Sequence, residues 1–244
     1  MTQTATIVRP EPRPRQLARA GAAIDVALCL TVWTATFLLV LWTPLGTGVP
    51  GVAFGLATTL AALTVTPTIR AVTTRRAPVD ALRAAATTLG LHRRPRVRDI
   101  IQVLFWMAAV TIIASSLATR IGHRAYSPTR ATENTTAAGD VTALAISITA
   151  SIIVAGIGEE LLRAGLAQRL GAITGQDRPL WALLAATAVW VTGHLDYTLT
   201  GIAVVAAVGV TITHWYRRTG NLWTVIAAHA AWDTTMAIII YLGH

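Results

Sequence analysis

Apolar stretches of about 17 to 22 residues recur between Ala22 and Leu242 with short polar connections between them, and their length restricts the chain to few folds. At a rise of about 1.5 Å per residue, one such stretch crosses a hydrocarbon layer of roughly 30 Å as a helix. The expected fold is therefore all-α, a polytopic transmembrane helical bundle of about seven spans. A mean hydropathy of +0.57 with only 13% charged residues exceeds what a soluble domain needs to fill one core.

The spans are expected at residues 22–42, 52–69, 100–118, 141–170, 180–194, 199–216 and 222–242. Residues 1–20, where Pro10, Pro12 and Pro14 interleave with arginines, read as a disordered basic tail on the cytoplasmic side. Residues 21–244 form the transmembrane domain. The first apolar stretch is too long for a signal-peptide core and is expected to stay as a span. Between the second and third spans, residues 79–91 have the pattern of a short interfacial amphipathic helix.

A net charge of +9 comes from twenty basic residues, all of them arginine. Arg70, Arg75, Arg76, Arg83, Arg93, Arg94, Arg96 and Arg98 fall in a single connection, as the positive-inside rule expects of a cytoplasmic loop. That distribution argues against nucleic acid as a partner and for the lipid bilayer. It puts the N-terminus, loop 171–179 and the turn at Arg217 on the cytoplasmic side of a cell membrane. Exclusive use of arginine suggests a GC-rich bacterial source. One cysteine, Cys29, excludes a disulfide framework and a thiolate zinc site. Trp42, Trp181, Trp215 and Trp223 stand near span ends, as in an aromatic belt.

Against this background Glu159 and Glu160 are costly. They are half of the glutamates in the chain, and they continue an apolar run that resumes at Leu161, Leu162 and Leu166. An ionised side chain at bilayer depth costs about 2.5 to 3.5 kcal/mol on insertion scales, so intramembrane acids usually line a polar cavity with a task. Counting from the cytoplasmic span ends at about 1.5 Å per residue puts Glu159, His194, His229 and Asp233 roughly 10 to 21 Å deep, within one layer. His229 and Asp233, four apart, project from one helix face. A carboxylate beside an imidazole can take a proton from water, while neighbouring polar groups stabilise an oxyanion.

Three segments carry a family resemblance. Residues 158–165, GEELLRAG, resemble the first motif of the CAAX-protease and bacteriocin-processing intramembrane proteases, in which two glutamates precede an arginine and a glycine. Residues 190–194, WVTGH, are similar to the second motif, an aromatic residue four before a histidine. Residues 218–233, RTGNLWTVIAAHAAWD, resemble the closing segment, in which asparagine or aspartate follows histidine by four. The likeness covers about residues 143–240 in the family's order, and it marks a protease-like core at about 141–243.

The resemblance implies an intramembrane endopeptidase of the CAAX-processing type, cleaving a peptide or membrane-protein substrate near the cytoplasmic face. It implies Glu159 as activator of the attacking water beside His194, His229 with Asp233 on the oxyanion side, and Glu160 in support, held by an arginine. Asp233 donates a hydrogen bond only when protonated, so orienting His229 or binding the water are alternative roles. The family pattern has an aromatic residue and then arginine before the glycine, whereas this chain has Arg163 and then Ala164. Arg163 is within helical reach of Glu159 and of Glu160.

No cofactor is implied, although Glu159, His194 and His229 have the composition of a zinc site with an open position. The displaced arginine supports a rival reading, a noncatalytic membrane scaffold or bacteriocin immunity protein of the same fold. A proton-coupled transporter using the same acids is disfavoured by the lack of an internal repeat. Oligomeric state is open.

Overall fold

The computed structural model describes residues 19–28, 30, 31, 34, 77–120, 138–176, 179–194 and 197–243. Every regular element among them is helical. The expected span at 52–69 and most of the one at 22–42 lie outside the described residues, as do the 1–18 part of the tail and the 121–137 part of the polar connection. Residues 19–28 are helical.

Six further helices follow: α1 (Pro78–Thr88), α2 (Val97–Arg120), α3 (Val141–Thr174), α4 (Leu180–Val191), α5 (Leu199–Thr219) and α6 (Leu222–Tyr241). Four of these, α2, α3, α5 and α6, are long and apolar enough to cross a membrane. Helix α4, extended by the 3₁₀ turn Thr192–His194, is apolar but shorter. The helix expected at 79–91 is present as α1, which stops at Thr88 because the chain turns at Gly90, a residue with φ of 77°. A Cβ at Gly90 would overlap the carbonyl oxygen of Gly220, so only glycine lets the α1 turn pack onto the α5–α6 turn.

Sequence chemistry explains the helix ends. Asp140 caps α3, its Oδ1 accepting from the N–H groups of Thr142 at 2.8 Å and Ala143 at 3.2 Å. Thr198 caps α5 through Gly201 N–H at 3.1 Å, and Asn221 caps α6 through Trp223 N–H at 3.0 Å. Gly175 and Gly220 end α3 and α5 in the left-handed conformation. The connection expected at 171–179 is accordingly shorter, because the helix runs on to Thr174 before its glycine stop.

Helix α3 is continuous through the glutamate pair over 34 residues. Its middle, Ser151–Glu159, is a π-helix whose hydrogen bonds span five residues. The wider winding rotates the following α-helical half relative to the preceding one, and Glu159 and Glu160 sit at that junction. Helix α6 is the central element, packing against α2, α3 and α5, while the glutamate-bearing half of α3 packs on α4 and α4 on α5. Met107, Leu183, Ile212, Leu222 and Val225 fill the core between them.

Ile101, Phe105, Ile112 and Ile113 project outward from α2. These apolar side chains suit hydrocarbon rather than water. Trp181 and Trp223 are exposed near helix starts, as belt residues should be, but Trp215 is buried beneath Arg218 and is not part of a belt.

Candidate active site

Glu160 is the centre of a buried polar cluster. Its side chain is 1% exposed, and Arg163, one turn further along α3 and 4% exposed, donates from Nη2 to Glu160 Oε2. Oε1 of the same carboxylate lies 2.8 Å from His229 Nδ1 on α6. A buried charge is tolerable only when paired and fully hydrogen-bonded, and Glu160 has a partner on each oxygen.

The guanidinium is braced in turn. Arg163 Nη1 donates to the carbonyl of Gly209 at 2.8 Å and to Thr213 Oγ1 at 3.0 Å, both on α5. Thr213 Oγ1 is 2.7 Å from Thr187 Oγ1, whose hydroxyl donates to Leu183 O at 2.9 Å within α4. A single network thus ties α3, α4, α5 and α6 at one level. A Cβ at Gly209 would come within 2.8 Å of Thr187 Cγ2 and 2.7 Å of Trp190 Cζ3, so the missing side chain is what lets α4 lie so close.

Glu159 points elsewhere. Half-buried, it accepts at Oε2 from the indole N–H of Trp190 on α4. The Trp190 ring packs 4.7 Å from the His194 ring and 5.9 Å, edge-on, from that of His229. Trp190 is consequently the piece that gathers Glu159, His194 and His229 around one side of the cluster. The Arg163 guanidinium lies 5.6 Å over the same ring. His194 Nδ1 is buried without a hydrogen-bond partner among the described residues, and the ring leans on Tyr197 at 5.8 Å. Asp233, with a side chain 35% exposed, has its Oδ2 3.7 Å from His229 Nε2, beyond hydrogen-bond length.

All six residues singled out from the sequence, Glu159, Glu160, Arg163, His194, His229 and Asp233, meet in this region. Of the two carboxylates that Arg163 could reach, it takes Glu160, and Glu159 is left with a neutral partner. The closest partner of His229 is Glu160 on another helix rather than Asp233 on its own. Thr187, Gly209 and Thr213 were not expected as site components, and Trp190 was marked only as the aromatic residue of a motif. Among the described residues no group of three His, Cys, Asp or Glu side chains is placed to hold a metal ion, and this includes the trio considered for zinc.

The fold and cluster define a multi-pass helical membrane protein with a paired acid–imidazole centre inside its helix bundle. Residues 141–235 match the family described as type II CAAX prenyl endopeptidase Rce1-like. Over this range the chain is similar to that family, whose description is that of a peptidase. No curated protein and no solved structure matches the chain.

Proposed function

We propose that this protein is an intramembrane endopeptidase in which Glu159 activates the attacking water. The observation that carries the reading is the division of labour within the glutamate pair. Glu160 is saturated by Arg163 and His229, whereas Glu159 is half-buried, bonded among the described residues only to the indole N–H of Trp190, whose ring also packs on His194. A base needs a free lone pair and an open side, which Glu159 has and Glu160 lacks.

In the proposed reaction a water held between Glu159 and His194 gives a proton to Glu159 as its oxygen attacks the scissile carbonyl carbon. The unpartnered Nδ1 of His194 supports a second contact to that water. With Nδ1–H donated to Glu160, an imidazolium His229 directs its Nε2–H toward the developing oxyanion, and Asp233 orients that ring from the exposed side. The proton on Glu159 then passes to the departing amine as the C–N bond breaks. The substrate is a peptide or membrane-protein segment reaching the site from the cytoplasmic face.

Purified protein in lipid, assayed against a peptide library with and without a chelator, tests the reading. Cleavage is expected for the wild-type protein with or without chelator, and its loss is expected in Glu159→Gln and His194→Ala. Unimpaired cleavage by Glu159→Gln would sink the mechanism, and loss on chelation would replace it with a metal-dependent one.

A further inference from the structure

Outside the glutamate cluster, the connection leading into α2 meets the turn between α5 and α6 around a cavity of about 570 Å³. Five arginines line it, Arg93, Arg94, Arg96, Arg98 and Arg218, against a single carboxylate, that of Asp99. The loop that carries four of them is held in place. Asn221 Nδ2 donates to Arg94 O at 3.0 Å, Trp223 Nε1 donates to Leu91 O at 2.8 Å, and Arg93 Nη1 donates to Thr219 O at 3.3 Å. Arg218 is set on the ring of buried Trp215, 5.0 Å from its centroid.

A preference for positive charge on one side of a membrane is met by arginines anywhere along a loop. It does not require the loop to be clamped so that like charges converge on one concavity. Repulsion among them rises as they are held together, and an anion in the cavity would relieve it. The first turn of α2 borders the same place through Arg98 and Asp99. Arginine forks match phosphate oxygens in particular, and basic pockets between membrane helices bind phospholipid headgroups. Exposed Trp223 at the start of α6 puts the pocket at the level of the membrane interface.

We propose that this arginine-lined cavity is a binding site for a phosphate-bearing anion, presented by an anionic phospholipid headgroup or as free phosphate. The volume suits such a group, falling in the roughly 300–1,000 Å³ range of small-ligand sites. Occupancy would link the α2 start to the α5–α6 turn, and α6 carries His229 about two turns deeper and Asp233 about three.

Native mass spectrometry of the full chain tests this, with phosphatidylglycerol, phosphatidylcholine and inorganic phosphate titrated in separate arms. One phosphatidylglycerol is expected to bind at least about fivefold more tightly than phosphatidylcholine. Arg94→Gln/Arg98→Gln should weaken it by at least about fivefold, and Arg169→Gln/Arg217→Gln, an equal charge change outside the cavity, by less than about twofold. Arg94→Lys/Arg98→Lys, which keeps the charge but not the fork, should also bind more weakly. Saturable inorganic phosphate binding with this variant pattern, without the lipid preference, identifies free phosphate as the ligand and supports the site. Equal weakening by the two glutamine pairs, or no phosphate binding together with equal affinity for the two lipids, overturns the proposal.

Discussion

His229 Nδ1 lies 2.8 Å from Glu160 Oε1, so the last membrane helix is joined to the glutamate helix through a carboxylate that is 1% exposed. The other oxygen of that carboxylate receives Arg163. Breaking such a buried pair strands a charge, at about 3–5 kcal/mol. Arg163→Met is therefore expected to lower stability by about this amount in a detergent unfolding titration, and Glu160→Ala similarly. Arg163→Met/Glu160→Gln, which removes both charges, should cost less than the sum of the single changes. Additive effects would show that the two side chains are energetically independent.

Trp190 provides the only hydrogen bond that fixes Glu159 among the described residues. Trp190→Phe keeps an aromatic ring against His194 and His229 but removes the N–H. A hydrogen bond to a charged group contributes about 1.5–3 kcal/mol, so misorientation of Glu159 should reduce kcat for peptide cleavage by about tenfold or more. The fold should survive, and the unfolding midpoint is the control. A variant with full activity would separate Trp190 from the chemistry.

How far the site could be read from sequence depended on the kind of residue. Glu159, Glu160, His194, His229 and Asp233 were visible because ionisable groups in apolar runs are expensive and therefore few. The partners that hold these side chains together were not visible in the same way. Thr187, Thr213 and Gly209 are ordinary residues of membrane helices, where small and hydroxylated side chains serve packing as often as function. Trp190 was identified as part of a motif, yet no sequence rule assigns its indole N–H to Glu159. Helix spacing made Asp233 the evident neighbour of His229, but the α3–α6 interface brings Glu160 nearer. The Gly175 stop of α3 was a signal available in the sequence, and it would have extended the fourth span by one turn.

Gly209 is where α5 yields to α4. A Cβ there would lie 2.7 Å from Trp190 Cζ3 and 2.8 Å from Thr187 Cγ2, atoms enclosed by the cluster. Gly209→Ala should force the indole or α5 to shift, destabilising the protein by about 1–3 kcal/mol in detergent unfolding. Movement of Trp190 should also disturb Glu159, so cleavage is expected to fall more than the lost stability explains. A neutral result in both measurements would mean that the α4–α5 contact can relax without moving the ring.

The π-helical stretch of α3 meets α6 through a second close contact. A Cβ on Gly156 would lie 2.8 Å from Ala230 Cβ and 3.2 Å from Ile226 O, one residue beyond His229 and three before it. The neighbouring carbonyl is backbone, so the strain in Gly156→Ala cannot be relieved by a side-chain rotation alone. That change should push α6 outward, costing about 1–3 kcal/mol and lengthening the His229–Glu160 contact. Ala230→Gly removes the nearest of the three close atoms, the others being Ser151 O and Ile226 O, at a helix-propensity cost of about 1 kcal/mol of its own. The double variant should consequently be more stable than the sum of the two single changes predicts, with a coupling of about 0.5–3 kcal/mol. Unfolding midpoints of the four proteins measure that coupling directly, and a value near zero would show that these two helices do not depend on the absent Gly156 side chain for their approach.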